Sequence, residues 1–336
     1  MNYIFPNLDR INKLASIIES QLTPLINSDF VLLDVPNHRN IGDSLIWKGE
    51  LEYFKKLPFK MLAQYNRNTF NGKKITKDTT ILLHGGGNFG DIYSTSQGFR
   101  LDILDQYPDN PIIMLPQSVH YINESNMLSD FKQMNKHKKL WICLRDNYSY
   151  NLLSKYFNGD KLLLLPDMAF FLDFSKFHTK DDSNRNLYMQ RTDAEISGLQ
   201  DIRKFEMYGF SSGNTEILDW PSYSNNKIIN FVTTRGDALE SKISKVLKDI
   251  PLINNLLDPA YGFKSKNNMD FHVNNGVSFM KNYDKILTTR LHGLILGILL
   301  NKEVYILDNS YGKNSKFFST WLTEFDKLTL LTEKEI

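Results

Sequence analysis

Five short polar stretches in this chain carry side chains able to do chemistry, and most of them follow a short apolar run. Tyr283–Lys316 holds two of the five. In the first, Arg290 and His292 stand two positions apart, with Gly293 at the foot of the apolar segment Leu294–Leu300. In the second, Asn309, Ser310, Tyr311, Gly312, Lys313 and Lys316 follow the apolar run Glu303–Leu307. A turn that ends a strand and opens a helix offers free backbone N–H groups and the positive end of a helix dipole. Cations added there make a receptor for a compact anion. A protonated His at that place is opposed by the dipole unless an anion sits beside it. The plainer alternatives are a structural histidine and solvated lysines.

The third stretch is His84–Asp91, HGGGNFGD. Gly85, Gly86 and Gly87 let backbone approach a ligand closely, with Asn88 and Asp91 beside them. No Gly-Lys-Ser/Thr follows, so it is not a Walker loop, and its spacing differs from the dinucleotide fingerprint. A tight turn that needs glycine only for geometry is the alternative. The fourth, Asn40–Ser44, carries Asp43, which reads either as a helix N-cap or as a carboxylate facing a site. The fifth, Arg191 with Asp193 and Glu195, reads equally as a surface ion-pair set or a substrate contact. Gln117 and Ser118, and Arg145 and Asp146, end two further strands. No cluster has zinc spacing, no Asp-x-Asp is present, and no Gly-x-Ser-x-Gly elbow occurs, so chemistry without metal or covalent cofactor is expected.

The elements that must hold these turns follow from periodicity. Residues 8–22 have apolar side chains at helical spacing. Continuous apolar runs at Asp29–Val35, Lys60–Tyr65, Thr79–His84, Pro111–Leu115, Lys139–Leu144 and Lys161–Leu165 alternate with helical patterns at Leu45–Phe54 and Ile92–Tyr107. That alternation predicts an α/β fold with parallel strands buried on both faces. Asp173–Asn186 is polar and reads as a linker. A second strand set is predicted at Leu187–Gln190, Lys227–Thr233, Lys285–Thr289 and Glu303–Leu307, with residues 194–224 irregular and Phe317–Leu331 helical. Two doubly wound, Rossmann-like domains facing a cleft follow: residues 1–175 on the acceptor side and 187–315 binding the donor. Residues 316–336 form a helix packing back on the first domain.

The chain has 336 residues, 41% of them hydrophobic, and a formal net charge of +2. A near-balanced charge argues against a nucleic-acid binder, which needs a dominant basic face. The single cysteine, Cys143, lies in an apolar run and reads as a buried structural thiol. No signal-peptide pattern and no uninterrupted apolar span are visible, so a cytoplasmic protein is expected.

Taken together, NIGDS with Ile46–Glu50, LLHGGGNFGDIY, the Pro-Gln-Ser at 116–118, the Leu-Arg-Asp at 144–146, RTDAE, TTRLHG and DNSYGK resemble the polysaccharide pyruvyltransferase family, in the family's order, from about residue 30 to about 320. The resemblance implies a fold like that of GT-B glycosyltransferases. It also implies transfer of pyruvate from phosphoenolpyruvate to two hydroxyls of one sugar, forming a cyclic ketal and releasing phosphate. Phosphoenolpyruvate is then a co-substrate rather than a cofactor. The acceptor would be a sugar of a surface polysaccharide or of its undecaprenyl-diphosphate-linked precursor. A lipid-linked acceptor would bring the protein to the inner face of the membrane, where Phe70, Phe99 or Tyr93 could touch the bilayer. On this reading Asp91 leads as acid/base with Asp43 second. Arg290, His292 and Lys313 take the donor, and the glycine loop with Asn88 forms the facing wall. A nucleotide-sugar glycosyltransferase and a non-catalytic glycan or anion module are the competing readings. The last fits poorly, because Asp43 and Asp91 would repel a trianion.

Overall fold

The computed structural model describes residues 5–72, 75–178, 184–191, 201–221, 227–248, 250, 258–262, 269–309 and 312–332. Two parallel sheets dominate it. The first contains β1 (Phe30–Leu33), β2 (Met61–Tyr65), β3 (Thr80–Leu83), β4 (Gly86–Phe89), β5 (Ile112–Val119), β6 (Leu140–Leu144) and β7 (Leu162–Leu164). Its order is β2-β1-β3-β5-β6-β7, and β4 pairs with β5 off that path. Residues of β1, β3 and β6 are almost entirely buried, as expected for strands covered by helices on both faces.

The second sheet contains β8 (Asn186–Met189), β9 (Thr215–Leu218), β10 (Lys285–Thr288), β11 (Glu303–Ile306) and β12 (Leu328–Leu330), in the order β12-β11-β10-β8-β9. Both sheets therefore start in the middle and wind outward on either side. The helices are α1 (Leu8–Leu22), α2 (Ile41–Phe54), α3 (Ser94–Gln106), α4 (Glu124–Met134), α5 (Asn147–Leu153), α6 (Lys227–Leu247), α7 (Met269–Met280), α8 (Leu291–Leu299) and α9 (Lys313–Trp321). Helix α2 packs against both α7 and α8. One apolar core runs from Leu32, Ile113 and Cys143 of the first sheet to Leu187, Ile286 and Val304 of the second.

Three expected elements differ. Lys227–Thr233 begins the helix α6 rather than a strand. A short β-branched run has strand propensity, but it is followed by apolar residues at 239, 243 and 246, and the longer helical period wins. Besides β10, the strand that pairs with β8 is β9, inside the stretch expected to be irregular. Residues 317–331 are not one helix, because α9 stops at Trp321 and β12 extends the second sheet. Helix α9 lies on the first half of the molecule: Trp321 Nε1 donates to the Arg145 carbonyl at 2.8 Å, and Phe317 stacks on Phe170. Cys143 is fully buried, and burial pushes its thiol pKa up. Of the aromatics expected to reach a membrane, Phe70 is buried in the core and Tyr93 is exposed. Among the described residues no helix is long and apolar enough to cross a membrane.

Candidate active site

Open parallel sheets bind ligands outside the carboxyl ends of their strands, where the winding direction reverses. In the first sheet that point lies between β1 and β3, and in the second between β8 and β10. The turns after these four strands border one cleft of about 500 Å³. Asn40 and Asp43 reach it after β1, Gly87 and Asn88 after β3, Arg191 after β8, and Arg290 and His292 after β10. Lys313 joins them from the start of α9. Residues from five separate sequence stretches thus meet in one cavity.

One end of the cavity concentrates positive charge. Lys313 is placed by the turn before it: its backbone N–H donates to Asn309 Oδ1 at 2.8 Å, and Gly312 takes a left-handed φ of 75°. Asn309 and Gly312 shape that turn and do not line the cleft. Ser310 and Tyr311 lie outside the described residues. A Cβ built on Gly87 would lie 2.5 Å from Lys313 Nζ and 3.1 Å from Arg145 Nη2. Two cationic nitrogens from different halves therefore converge on a position kept open by glycine. Arg145 is fully buried; its Nη1 donates to Asp167 Oδ2 at 2.5 Å and its Nε to Ser118 Oγ at 2.9 Å. Arg145 Nη2 is buried with no hydrogen-bond partner among the described residues, a costly state for a guanidinium nitrogen.

His292 sits in the first turn of α8 with Nε2 3.4 Å from Asp167 Oδ2. Burial lowers its pKa below the ordinary histidine value, against the opposing pull of Asp167. Burial works against ionisation of Asp167, but His292 and Arg145 outweigh it and hold the carboxyl well below the usual range. A Cβ on Gly42 would come within 2.5 Å of His292 Nδ1, so the first turn of α2 can pass the imidazole only as glycine.

The helix-cap reading of Asp43 gives way to Asn40, whose Oδ1 accepts from the Gly42 N–H at 2.9 Å. Asp43 is left to face the cleft, 3.4 Å from His38 Nε2. The glycine loop is rooted from beneath. Glu50 accepts from the Gly85 N–H at 2.9 Å and pairs with His84 Nδ1 at 2.8 Å, both side chains buried. Gly86, at φ 126°, occupies backbone space that only glycine uses easily. Asn88 is tied to Arg100, which donates to its Oδ1 and its carbonyl.

Several expected roles are corrected. Asp91 does not line the cleft. Its carboxylate accepts from the Ile122 and Asn123 N–H groups at 2.8 and 2.9 Å and from Asn126, clamping the segment that leads into α4. Gln117 turns its amide to the His84 carbonyl at 2.6 Å and is also outside the lining. Gly85 is buried at the loop's root, not at its face. Arg290 does line the cleft, but Asp219 holds its guanidinium through two nitrogens and balances its charge. The sequence reading missed Asp167, Arg67, Asp219 and Trp220. Asp167 ends a recognised strand, and that position was the available signal. Asp219 and Trp220 follow a strand that was not recognised.

The family model for polysaccharide pyruvyl transferase matches residues 40–311, and the chain belongs to that family. It is therefore a pyruvyl transferase, an enzyme. It is similar to the EpsO protein of Bacillus subtilis (strain 168), at 35% identity over 88% of this chain and 86% of that one. It is also similar to Pyruvyl transferase 1 of Schizosaccharomyces pombe (strain 972 / ATCC 24843), at 25% identity over 87% of this chain and 69% of that one. A solved structure of an uncharacterised protein from Klebsiella pneumoniae subsp. pneumoniae superposes with a TM-score of 0.61 at 18% identity, covering 95% of this chain and 98% of that one. That likeness speaks to the fold.

Proposed function

We propose that the chain transfers pyruvate from phosphoenolpyruvate to two hydroxyls of one sugar, closing a cyclic ketal and releasing phosphate. The observation that carries this reading is the convergence of Lys313 Nζ and the unpartnered Arg145 Nη2 on Gly87. A small donor with a phosphate and a carboxylate matches Lys313 on the cleft wall with the buried Arg145 immediately behind Gly87. We read the two facing sheets as a GT-B-like arrangement, with the donor held by Lys313 from the second half and Arg145 from the first.

The reaction asks for few groups. A proton is added to the donor's methylene carbon, and the neighbouring carbon gains positive character. The first sugar hydroxyl bonds to that carbon and loses its proton. Phosphate then leaves with the electrons of the C–O bond, and the second hydroxyl closes the ring. One hydroxyl proton ends on the new methyl group and the other on phosphate, so atoms and charge balance. Asp43 and His292, from opposite halves, are the proton-handling groups that reach the cleft in this reading, a role worth about 10²–10⁴ in rate. Lys313 and Arg145 offset the charge on the leaving phosphate. Trp220 and Arg191 line the side left for the sugar. An acceptor from a surface polysaccharide or its lipid-linked precursor fits this reading.

The test is direct. Purified protein is titrated with phosphoenolpyruvate and with nucleotide sugars, and phosphate release is then measured against a panel of lipid-linked and aryl glycosides. Phosphoenolpyruvate should bind and be consumed only with an acceptor. Stabilisation by nucleotide sugars alone would overturn the reading in favour of a glycosyltransferase.

A further inference from the structure

The carboxylate of Asp167 has no place in the steps above. It lies at the carboxyl end of β7 in the first half, while His292 belongs to the second. Asp167 is buried, and its two oxygens are fully engaged. Oδ1 accepts from the Ala169 N–H at 3.0 Å, which fixes the carboxylate plane. Oδ2 accepts from Arg145 Nη1 at 2.5 Å and faces His292 Nε2 at 3.4 Å. An ionised carboxylate can only accept hydrogen bonds, so a neutral imidazole facing it must carry its proton on Nε2. The remaining nitrogen, Nδ1, has no hydrogen-bond partner among the described residues and lies against Gly42 at the cleft wall.

We propose that Asp167 is a positioning residue for His292: reaching across from the first half, it sets the imidazole tautomer so that Nδ1 presents its lone pair to the acceptor hydroxyl. A base whose second nitrogen is oriented by a carboxylate is a recurrent solution to this problem. The particular feature here is that base and orienter come from different sheets. The base is therefore correctly poised only when both halves are in place. Arg145 belongs to the same unit, because its Nη1 keeps Asp167 anionic while its Nη2 faces the position open at Gly87. The charged groups around the imidazole are Asp167, Arg145 and, on α2, Asp43, with Arg290 two residues before it at the start of α8 and Lys313 elsewhere on the cleft lining.

This proposal rests on His292 acting as a base in pyruvyl transfer, and its test separates the two. The first measurement needs no substrate: side-chain ¹⁵N NMR of the full chain, with the His292 signal assigned by its loss in His292→Gln. The wild-type signal should be that of the Nε2–H tautomer, and Asp167→Asn should convert it to a mixture. The amide keeps nearly the same shape, so the variant should fold, but its single oxygen cannot serve both the Ala169 N–H and the Oδ2 position that faces Arg145 and His292, so the NH2 group is turned toward Nε2 in part of the molecules. In the transfer assay, Asp167→Asn should lower kcat about 100-fold or more while the dissociation constant for phosphoenolpyruvate stays within threefold. A wild-type Nδ1–H tautomer overturns the proposal outright, whatever the substrate proves to be. An unchanged kcat in Asp167→Asn overturns it as well. If phosphoenolpyruvate is not consumed at all, the reading of the reaction fails, and the tautomer measurement still decides the role of Asp167.

Discussion

Gly87→Ala is the sharpest probe of the cleft. Gly87 is not among the glycines at positive φ, so alanine fits the backbone without strain. The added methyl would meet Lys313 Nζ at 2.5 Å and Arg145 Nη2 at 3.1 Å. Ordinary contact begins near 3.5 Å, so the ammonium must retreat by about 1 Å. Lys313 can do this, because it is the far end of a flexible side chain on a half-exposed turn. Arg145 is buried and held by Asp167 and Ser118, and it can give much less. The expected result is a nearly intact fold with Lys313 swung out of line. Losing one hydrogen bond to a charged group costs about 1.5–3 kcal/mol. At about 1.4 kcal/mol per decade, that is roughly a 10- to 150-fold drop in kcat/KM for the donor. The assay is phosphate release at varied phosphoenolpyruvate, with donor affinity by calorimetry and melting temperature measured alongside. Wild-type donor affinity and turnover in a folded Gly87→Ala protein would refute the placement of the anion between Lys313 and Arg145.

Three other outcomes follow from the same geometry. Gly42→Ala should drive a methyl into His292 and reduce kcat by roughly 100-fold with little change in donor affinity, since about 1 Å of misplacement suffices; normal kcat would show that the ring position is unimportant. Asp91→Asn should leave turnover within a few-fold of wild type and lower the melting temperature by a few degrees, because the carboxylate anchors backbone rather than substrate. Its pKa is depressed: burial alone would raise it, but the hydrogen bonds from Ile122, Asn123 and Asn126 prevail. Its stabilisation is therefore present above the unfolded value near 4 and fades as pH falls through the lower folded value; loss of activity at full stability would restore Asp91 to the chemistry. Glu50→Gln should cost roughly 3 kcal/mol in urea unfolding at pH 6, because it breaks a buried pair. Burial alone would lower the His84 pKa, but Glu50 outweighs it and the pKa is raised, so the pair stabilises fully below the unfolded value near 6.5 and less as pH climbs through the folded one. The deficit of the variant should thus narrow by pH 9, and a deficit constant with pH would show that His84 is not charged in the folded protein.

The legible parts of this protein were those written in local patterns. Phe30–Leu33, Thr80–Leu83 and Leu140–Leu144 are short continuous apolar runs, and a run buried on both faces needs no partner information to be recognised. Gly85–Gly87 and the Arg290–His292 pair stood out because glycine clusters and cations at strand ends have few other uses. Lys227–Thr233 misled because six or seven residues cannot separate strand from helix when β-branched side chains open a long amphipathic segment. Asp91 misled because a carboxylate after a glycine loop looks the same on paper whether it faces a cleft or caps a neighbouring turn.

The order of residue types along the chain was enough to establish a parallel α/β protein, most of the turns that border its cleft, and the family to which it belongs. Local periodicity and backbone requirements are properties of neighbouring residues, so they survive in one dimension. Which carboxylate enters the cleft, which arginine is already neutralised, and which aspartate stands behind His292 were decided only when two sheets met. Asp167 and His292 are 125 positions apart, and Gly87 and Lys313 come from different halves as well, so no local pattern couples them. Packing of α2 between the halves creates those contacts, and with them the low-dielectric setting in which each charge acquires its role.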